Sequence, residues 1–285
     1  MNSRNAKRIK NINGMEQIMI DLKPNRCDSF VYSNKDLDVT NLVKYIEEKK
    51  KNNKEITFFH AFVTALAKVI YNRNKLNRFV QNRHVFEHND IVISFVAKVS
   101  FNDKAEEIMI MVPVKENDNI ETISKYIKDK VNNIREGKAT KEGANDAIDL
   151  LGKLPNIIRV PLIGMLKYAD DKGILPKSLV KDNLYYSSTI VSNLGSIKSN
   201  AIHHNITNFG TCSSLVTMGE IHNKEIIDND NKKKIIKVCD WGIAFDERVA
   251  DGFYLIKSLE LLQYIFDNPE TLDNNVSDII DYQKK

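Results

Sequence analysis

The sequence predicts an α/β fold of two layers, a mixed sheet and the helices that cover it, and three observations carry that expectation. Two β-branched runs, 91–99 and 108–114, are almost free of polar residues and read as strands whose faces need covering. Segments 58–70, 120–134 and 252–266 repeat apolar residues with a helical period. Strand and helix segments are mixed along the chain, with no internal repeat and no linker rich in Pro, Gly or Ser, so a single domain over 1–285 is the simplest account.

The elements follow in order. Residues 1–36 read as an N-terminal arm whose first 25 residues are polar and weakly patterned; Ser29 to Thr40 reads as an extended segment ending in a turn, and 41–50 as a helix. Thr57 is the expected N-cap of the next helix, which sets Phe59, Phe62, Val63, Leu66 and Ile70 on one face. Residues 86–90 read as a turn. The strand at 91–99 carries polar residues only at Ser94 and Lys98, as a central strand does, whereas Pro113 marks 108–114 as an edge strand or a strand end. Ile120, Ile123, Ile127, Val131 and Ile134 form the stripe of an amphipathic helix. A helical, partly apolar insertion occupies 137–183, with breaks expected at Pro155, Pro161 and Pro176. Strands are expected at 184–191, 213–221, 235–238 and 241–245, with the tract 228–234 as a hairpin tip. Leu255, Leu259, Leu262 and Phe266 define a last helix, ended by Asn268-Pro269.

Composition removes several classes of function. With 42% hydrophobic and 28% charged residues, the 285-residue chain is neither disordered nor a disulfide scaffold. Its net charge of +4 is spread out rather than gathered into a nucleic-acid footprint; Lys232–Lys234 reads as a solvated turn. No apolar run reaches the length of a membrane span, so no membrane partner is expected. Cys27, Cys212 and Cys239 form no CxxC pair, and no secretory leader opens the chain, so a reducing, cytoplasmic compartment fits best.

Several local patterns carry little chemistry. Gly137-Lys-Ala-Thr140 lacks the upstream glycine and strand of a phosphate loop. His84 and His88 have the spacing of helical metal ligands but lie in a strand-and-turn segment, and His203-His204 have no third ligand at hand, so no metal is expected. Cys212 reads as a small buried hydrophobe before it reads as a nucleophile.

Two segments differ because they occur together and in order. One is Ser188-Thr-Ile-Val-Ser-Asn-Leu-Gly195, a strand entering a polar turn. The other is Phe245-Asp-Glu-Arg-Val-Ala-Asp-Gly-Phe253, a strand giving way to a helix. With Leu37-Asp-Val-Thr40, the 58–77 helix, Ser214-Leu-Val-Thr-Met-Gly-Glu220 and Asn268-Pro-Glu-Thr-Leu272, these six segments resemble, in order, the CoA-dependent acyltransferase superfamily of chloramphenicol acetyltransferase and the 2-oxo acid dehydrogenase acyltransferase cores. The resemblance runs from about Leu37 to Leu272, and it implies a chloramphenicol acetyltransferase-like sheet-and-helix fold.

The resemblance also implies a chemistry. A family histidine takes the proton of an acceptor thiol, hydroxyl or amine, a serine hydroxyl donates to the oxyanion, and an aspartate holds the loop. Carried over, Ser192 is the oxyanion donor and Asp251 the structural carboxylate, with Asn193, Gly195 and Thr217 as substrate-binding positions. Asp251 is expected to cap the last helix and to pair with Arg26 or Arg248.

The family histidine is replaced by Glu247. An unperturbed glutamate, with a pKa of about 4.3, is a poor base toward a thiol, and burial in an apolar tunnel would improve it. Two readings follow: an acyltransferase with Glu247 as the base, and a catalytically degenerate CoA-binding or scaffold homologue. His60, His203 and His204 are the other imidazoles open to a role. No cofactor is expected to be resident, acyl-CoA and CoA being substrate. A homotrimer with its site at the subunit interface is implied by resemblance. About 36 residues precede the core, too few for a lipoyl domain, so a stand-alone protein acting on a small acceptor is expected.

Overall fold

The computed structural model describes residues 5–52, 54–98, 107–136, 150–228 and 230–282. Among them, six strands build the main sheet: β2 (Phe30–Asp38), β5 (Ile91–Lys98), β6 (Glu107–Val114), β7 (Thr189–Asn193), β8 (Ser214–Ile227) and β9 (Lys233–Asp246). Their order is β2-β9-β8-β7-β5-β6. The β5/β7 and β7/β8 pairs are parallel and the other three antiparallel, so the sheet is mixed. A smaller sheet, in the order β1-β4-β3, joins β1 (Ala6–Arg8), β3 (Arg78–Gln81) and β4 (His84–His88).

The helices are α1 (Gly14–Leu22), α2 (Thr40–Lys51), α3 (Phe58–Asn72), α4 (Ile120–Arg135), α5 (Asn156–Lys172), α6 (Lys177–Val180) and α7 (Gly252–Asp267). Thr57 caps α3 as expected, its hydroxyl accepting from the His60 N–H while His60 Nδ1 accepts from the Thr57 N–H. From His60 to Ile70 every residue of α3 is buried. Its polar residues His60, Thr64 and Lys68 are therefore satisfied internally: the Thr64 hydroxyl donates to the His60 carbonyl, and Lys68 Nζ donates to the Asn275 carbonyl at 2.6 Å. The stripe of α4 is likewise in the core, with Ile120, Ile123 and Ile127 at most 2% exposed. Leu255, Leu259, Leu262 and Phe266 of α7 pack with α3 over one face of the sheet, against Val216, Ile243 and Phe245.

β6 is an edge strand, as Pro113 foretold, and β5 lies beside it. Ile93 and Phe95 of β5 pair with Val112 and Ile110 on the covered face, while Val96 on the opposite face stays 43% exposed. The β8–β9 hairpin turns within the expected 228–234 tract, between Ile227 and Lys233, which pair, so Lys233 and Lys234 belong to β9. Each strand is a single 14-residue run: β8 continues past the expected end at Ile221 to Ile227, and β9 joins the two pieces expected at 235–238 and 241–245.

Three local expectations are corrected. Residues His84–His88 are a strand rather than the start of a turn; the turn is Asn82-Arg83, both with positive φ (48° and 57°), the left-handed pair that a two-residue hairpin requires. The strand expected from Leu184 begins only at Thr189, because the Asn183 side chain accepts from the Tyr185 N–H and winds Leu184–Tyr186 into a 3-10 turn. Helix α5 runs through Pro161. Of the insertion expected over 137–183, residues 137–149, including the Gly137–Thr140 motif, lie outside the described residues.

Candidate active site

The two motif segments build two separate groups of side chains. The first is a row across the main sheet. Ser192 on β7 pairs in register with Thr217 on β8, Thr217 with Gly242 on β9, and Gly242 with Asn34 on β2. Strand alternation points this row away from α3 and α7, since Val191, Val216 and Ile243 face the helices. Among the described residues the Thr217 hydroxyl is buried without a hydrogen-bond partner, and Ser192 beside it is half-exposed. Neighbouring strands lie about 4.8 Å apart, so these two hydroxyl residues stand side by side, Thr217 as a buried group left unsatisfied.

A loop over residues 198–213 lies across the row and needs glycines beneath it. A Cβ on Gly242 would sit 3.3 Å from the Ile202 carbonyl oxygen, and one on Gly219 would sit 2.6 Å from the Ala201 nitrogen. Gly219-Glu220 form a bulge opposite Asp240, and Gly195 packs against it so closely that a Cβ would lie 2.4 Å from the Gly219 carbonyl oxygen. Gly195 therefore has a packing reason to be glycine. Asn193 ties the same turn, its Oδ1 accepting from the Ser196 N–H and its carbonyl from the Ser196 hydroxyl.

The second group surrounds the turn that carries Glu247. Asp246 ends β9 fully buried and takes a bidentate grip from Arg248, Nε to Oδ1 at 2.9 Å and Nη2 to Oδ2 at 2.7 Å. Arg248 Nη1 donates to the Lys23 and Pro24 carbonyls. Arg26 lies 3.9 Å from Asp246 and donates to the carbonyls of Thr207, Phe209 and Gly210, so it ties the 198–213 loop to this cluster. Burial pulls the Arg26 guanidinium below its usual pKa, and the nearby Asp246 charge works against that pull. Asp170 of α5 completes the cluster. It accepts from the Gly210 N–H, the Tyr186 hydroxyl and the Gln81 amide, and burial pushes its pKa up. A polar cavity of about 220 Å³ lies behind the turn, bordered by Arg26, Gln81, Lys167, Asp170, Asn208 and Arg248.

Glu247 itself forms an ion pair with Lys23, each side chain about a third exposed, and its N–H donates to the Ser29 carbonyl. It sits beside a cation rather than in an apolar tunnel. Asp251 caps α7, its Oδ1 accepting from the Tyr254 N–H at 2.7 Å, as expected. Its expected pairing with Arg26 or Arg248 is not found: both arginines turn to Asp246, which is buried where Asp251 is exposed.

By sequence, no family model and no curated protein matches the chain. By structure, it is similar to a probable dihydrolipoamide acetyltransferase from Listeria monocytogenes, at a TM-score of 0.59 and 16% identity over 92% of this chain and 95% of that one. It is also similar to a truncated catalytic core of the 2-oxoacid dehydrogenase multienzyme complex from Thermoplasma acidophilum, at a TM-score of 0.58 and 15% identity over 92% and 99% of the chains. A chloramphenicol acetyltransferase gives 0.56 and 10% over the same shares. The chain has the chloramphenicol acetyltransferase-like fold.

Within this fold a single chain keeps the two groups apart. Asp246 follows Gly242 by four residues along β9, about 13 Å at strand rise, Glu247 lies one residue further in the turn, and Ser192 lies two strands to the side. Of the histidines, His60 is spent on the α3 cap and burial lowers its pKa to about 4. His203 belongs to the loop over the row, its ring edge-on to Tyr32, and the neighbouring His204 has a buried Nε2 with no partner among the described residues. Burial pushes the Cys212 thiol up in pKa, and the thiol donates to the Ser214 carbonyl, as an unreactive core cysteine does. Among the described residues no cluster of three or more His, Cys, Asp or Glu side chains is placed to hold a metal.

The sequence reading missed Lys23, Asp246 and Asp170. The Asp246-Glu247-Arg248 triplet at a strand end was the available signal for Asp246. Lys23 has none, being 224 residues from its partner.

Proposed function

We propose that this protein is a CoA-dependent acyltransferase that moves an acyl group between CoA and a small acceptor, working as a homotrimer in the cytoplasm. The observation that carries the reading is the buried Thr217 hydroxyl, unpartnered among the described residues and in register with the half-exposed Ser192, on a fold shared with acetyltransferases. A buried donor without a partner is costly unless a ligand completes it.

In the proposed reaction the acceptor X–H attacks the thioester carbonyl, and Ser192 donates to the oxyanion that forms. The C–S bond then breaks, the acyl group stays on X, and the proton passes to CoA sulfur through the base. Glu247 is the proposed base. Its separation from Ser192 within one chain requires the two to come from different subunits, which is the reason for the trimer. Val96 of β5, 43% exposed on the face away from the helices, leaves apolar surface for such contacts. The three cysteines are free, which suits a reducing compartment.

A second reading has its own observation. The Lys23 ion pair occupies the Glu247 carboxylate, which favours a protein that binds CoA without turnover. Calorimetric CoA binding, paired with steady-state transfer from acetyl-CoA by wild type, Glu247→Gln and Glu247→His, separates them. The enzyme reading expects wild-type transfer, a loss of roughly 100-fold or more in Glu247→Gln and unchanged CoA affinity. Binding without transfer over a broad acceptor panel supports the second. A light-scattering mass equal to one 32.7 kDa chain rejects the trimer.

A further inference from the structure

The long helix of the insertion is built inside out. Of the 17 residues of α5 only Asp170 is buried, and it is held by Gln81, Tyr186 and Gly210. The most exposed apolar residues face the other way. Ile157, Pro161, Met165 and Tyr168 fall within an arc of about 80° at 3.6 residues per turn. Ile157, Met165 and Tyr168 are 84%, 61% and 64% exposed, with Ile158 and Val160 more than half exposed beside them. Scattered exposed apolar residues are ordinary, but a continuous stripe on one helix marks a contact surface.

We propose that α5 docks flat on an anionic lipid surface, its stripe seated at the headgroup boundary. Charge selects this occupant. Residues 150–181 carry Lys153, Arg159, Lys167, Lys172, Lys177 and Lys181 against Asp170 and Asp171, an excess equal to the +4 of the whole chain, and Asp170 is turned inward. All of these cations except Arg159 are exposed. An exposed apolar stripe on a lysine-rich segment is the pattern of a helix lying in the membrane interface. A second copy seated on the same patch across a two-fold axis would bring the two basic segments together. No helix among the described residues is long and apolar enough to cross a bilayer, so the contact is with the surface alone. The inference is independent of the acyl-transfer reading. It revises the expectation of no membrane partner, which rested on spanning segments.

The test is co-sedimentation of the full chain with vesicles of phosphatidylcholine alone and of phosphatidylcholine with phosphatidylserine. Binding to the serine-containing vesicles only, released by raised salt, is expected. Ile157→Glu/Met165→Glu and Lys167→Glu/Lys177→Glu should each weaken it by roughly 10-fold or more. Both should keep the far-UV circular dichroism and the solution mass of wild type, because the substituted side chains are exposed. Failure to bind either vesicle, equal binding to both, or binding unmoved by the variants overturns the proposal. A changed solution mass in Ile157→Glu/Met165→Glu overturns it too, and reassigns the stripe to contacts between copies of the chain.

Discussion

Replacing Asp246 by Asn should destabilise the chain more than any other single change near the candidate site. The carboxylate is 0% exposed, and the two guanidinium groups it faces, Arg26 and Arg248, are 3% and 4% exposed. Asparagine keeps the shape and one acceptor oxygen, so Arg248 loses one arm of its grip and both arginines lose the only carboxylate within 4 Å among the described residues. Their carbonyl partners remain, which satisfies N–H donors but not charge. Breaking a buried pair from one side costs about 3–5 kcal/mol, because it strands the other charge. Against a typical total of about 5–15 kcal/mol that is a large fraction. For a chain of this size it corresponds to a fall in Tm of roughly 10 °C. Urea denaturation of wild type and Asp246→Asn at neutral pH measures it directly. Unfolding free energies that agree to within about 1 kcal/mol would refute the reasoning, and would mean that water reaches the cluster.

Three further outcomes follow from the same geometry. Gly195→Ala should cost roughly 1–3 kcal/mol, because its Cβ would meet backbone rather than a movable side chain at 2.4 Å; an unchanged denaturation midpoint contradicts this. Asp251→Asn should leave the Tm almost unmoved, since asparagine caps as well, while Asp251→Ala should cost about 1 kcal/mol; a large loss in the Asn variant would restore a charge-pairing role for this residue. His60 and His88 have folded pKa values lowered to about 4, chiefly by burial. A lowered value means that their contribution is complete above the unfolded value of about 6.5 and is lost as pH falls toward 4. Stability should therefore decline across that window, and His60→Gln should flatten the slope; an identical pH profile in the variant counts against the assignment.

What the sequence disclosed was whatever is settled locally. The Thr57 cap, the stripes of α4 and α7, the hairpin turn within 228–234 and the edge position of 108–114 each depend on residues within a turn or two of one another. Ser192 was legible as a residue at the end of a strand, and Asp251 as a helix cap, for the same reason. What stayed hidden depends on contacts between distant segments. Asp251 and Asp246 are equally acidic, and only burial at the end of β9 decides which one the arginines face. The pairing of Glu247 with Lys23, and the burial of Asp170 on a helix whose most exposed apolar residues lie on the opposite side, need the folded chain. Even the Asn82-Arg83 turn was missed, because neither residue is the glycine that usually marks positive φ.

The central claim rests on the Ser192 hydroxyl, and steady-state acyl transfer from acetyl-CoA by wild type and Ser192→Ala tests it most directly. If the hydroxyl donates to the oxyanion, kcat falls roughly 100- to 1,000-fold in the variant while CoA affinity and the denaturation midpoint hold. Equal turnover by the two proteins, or wild type that binds CoA and transfers nothing, contradicts it.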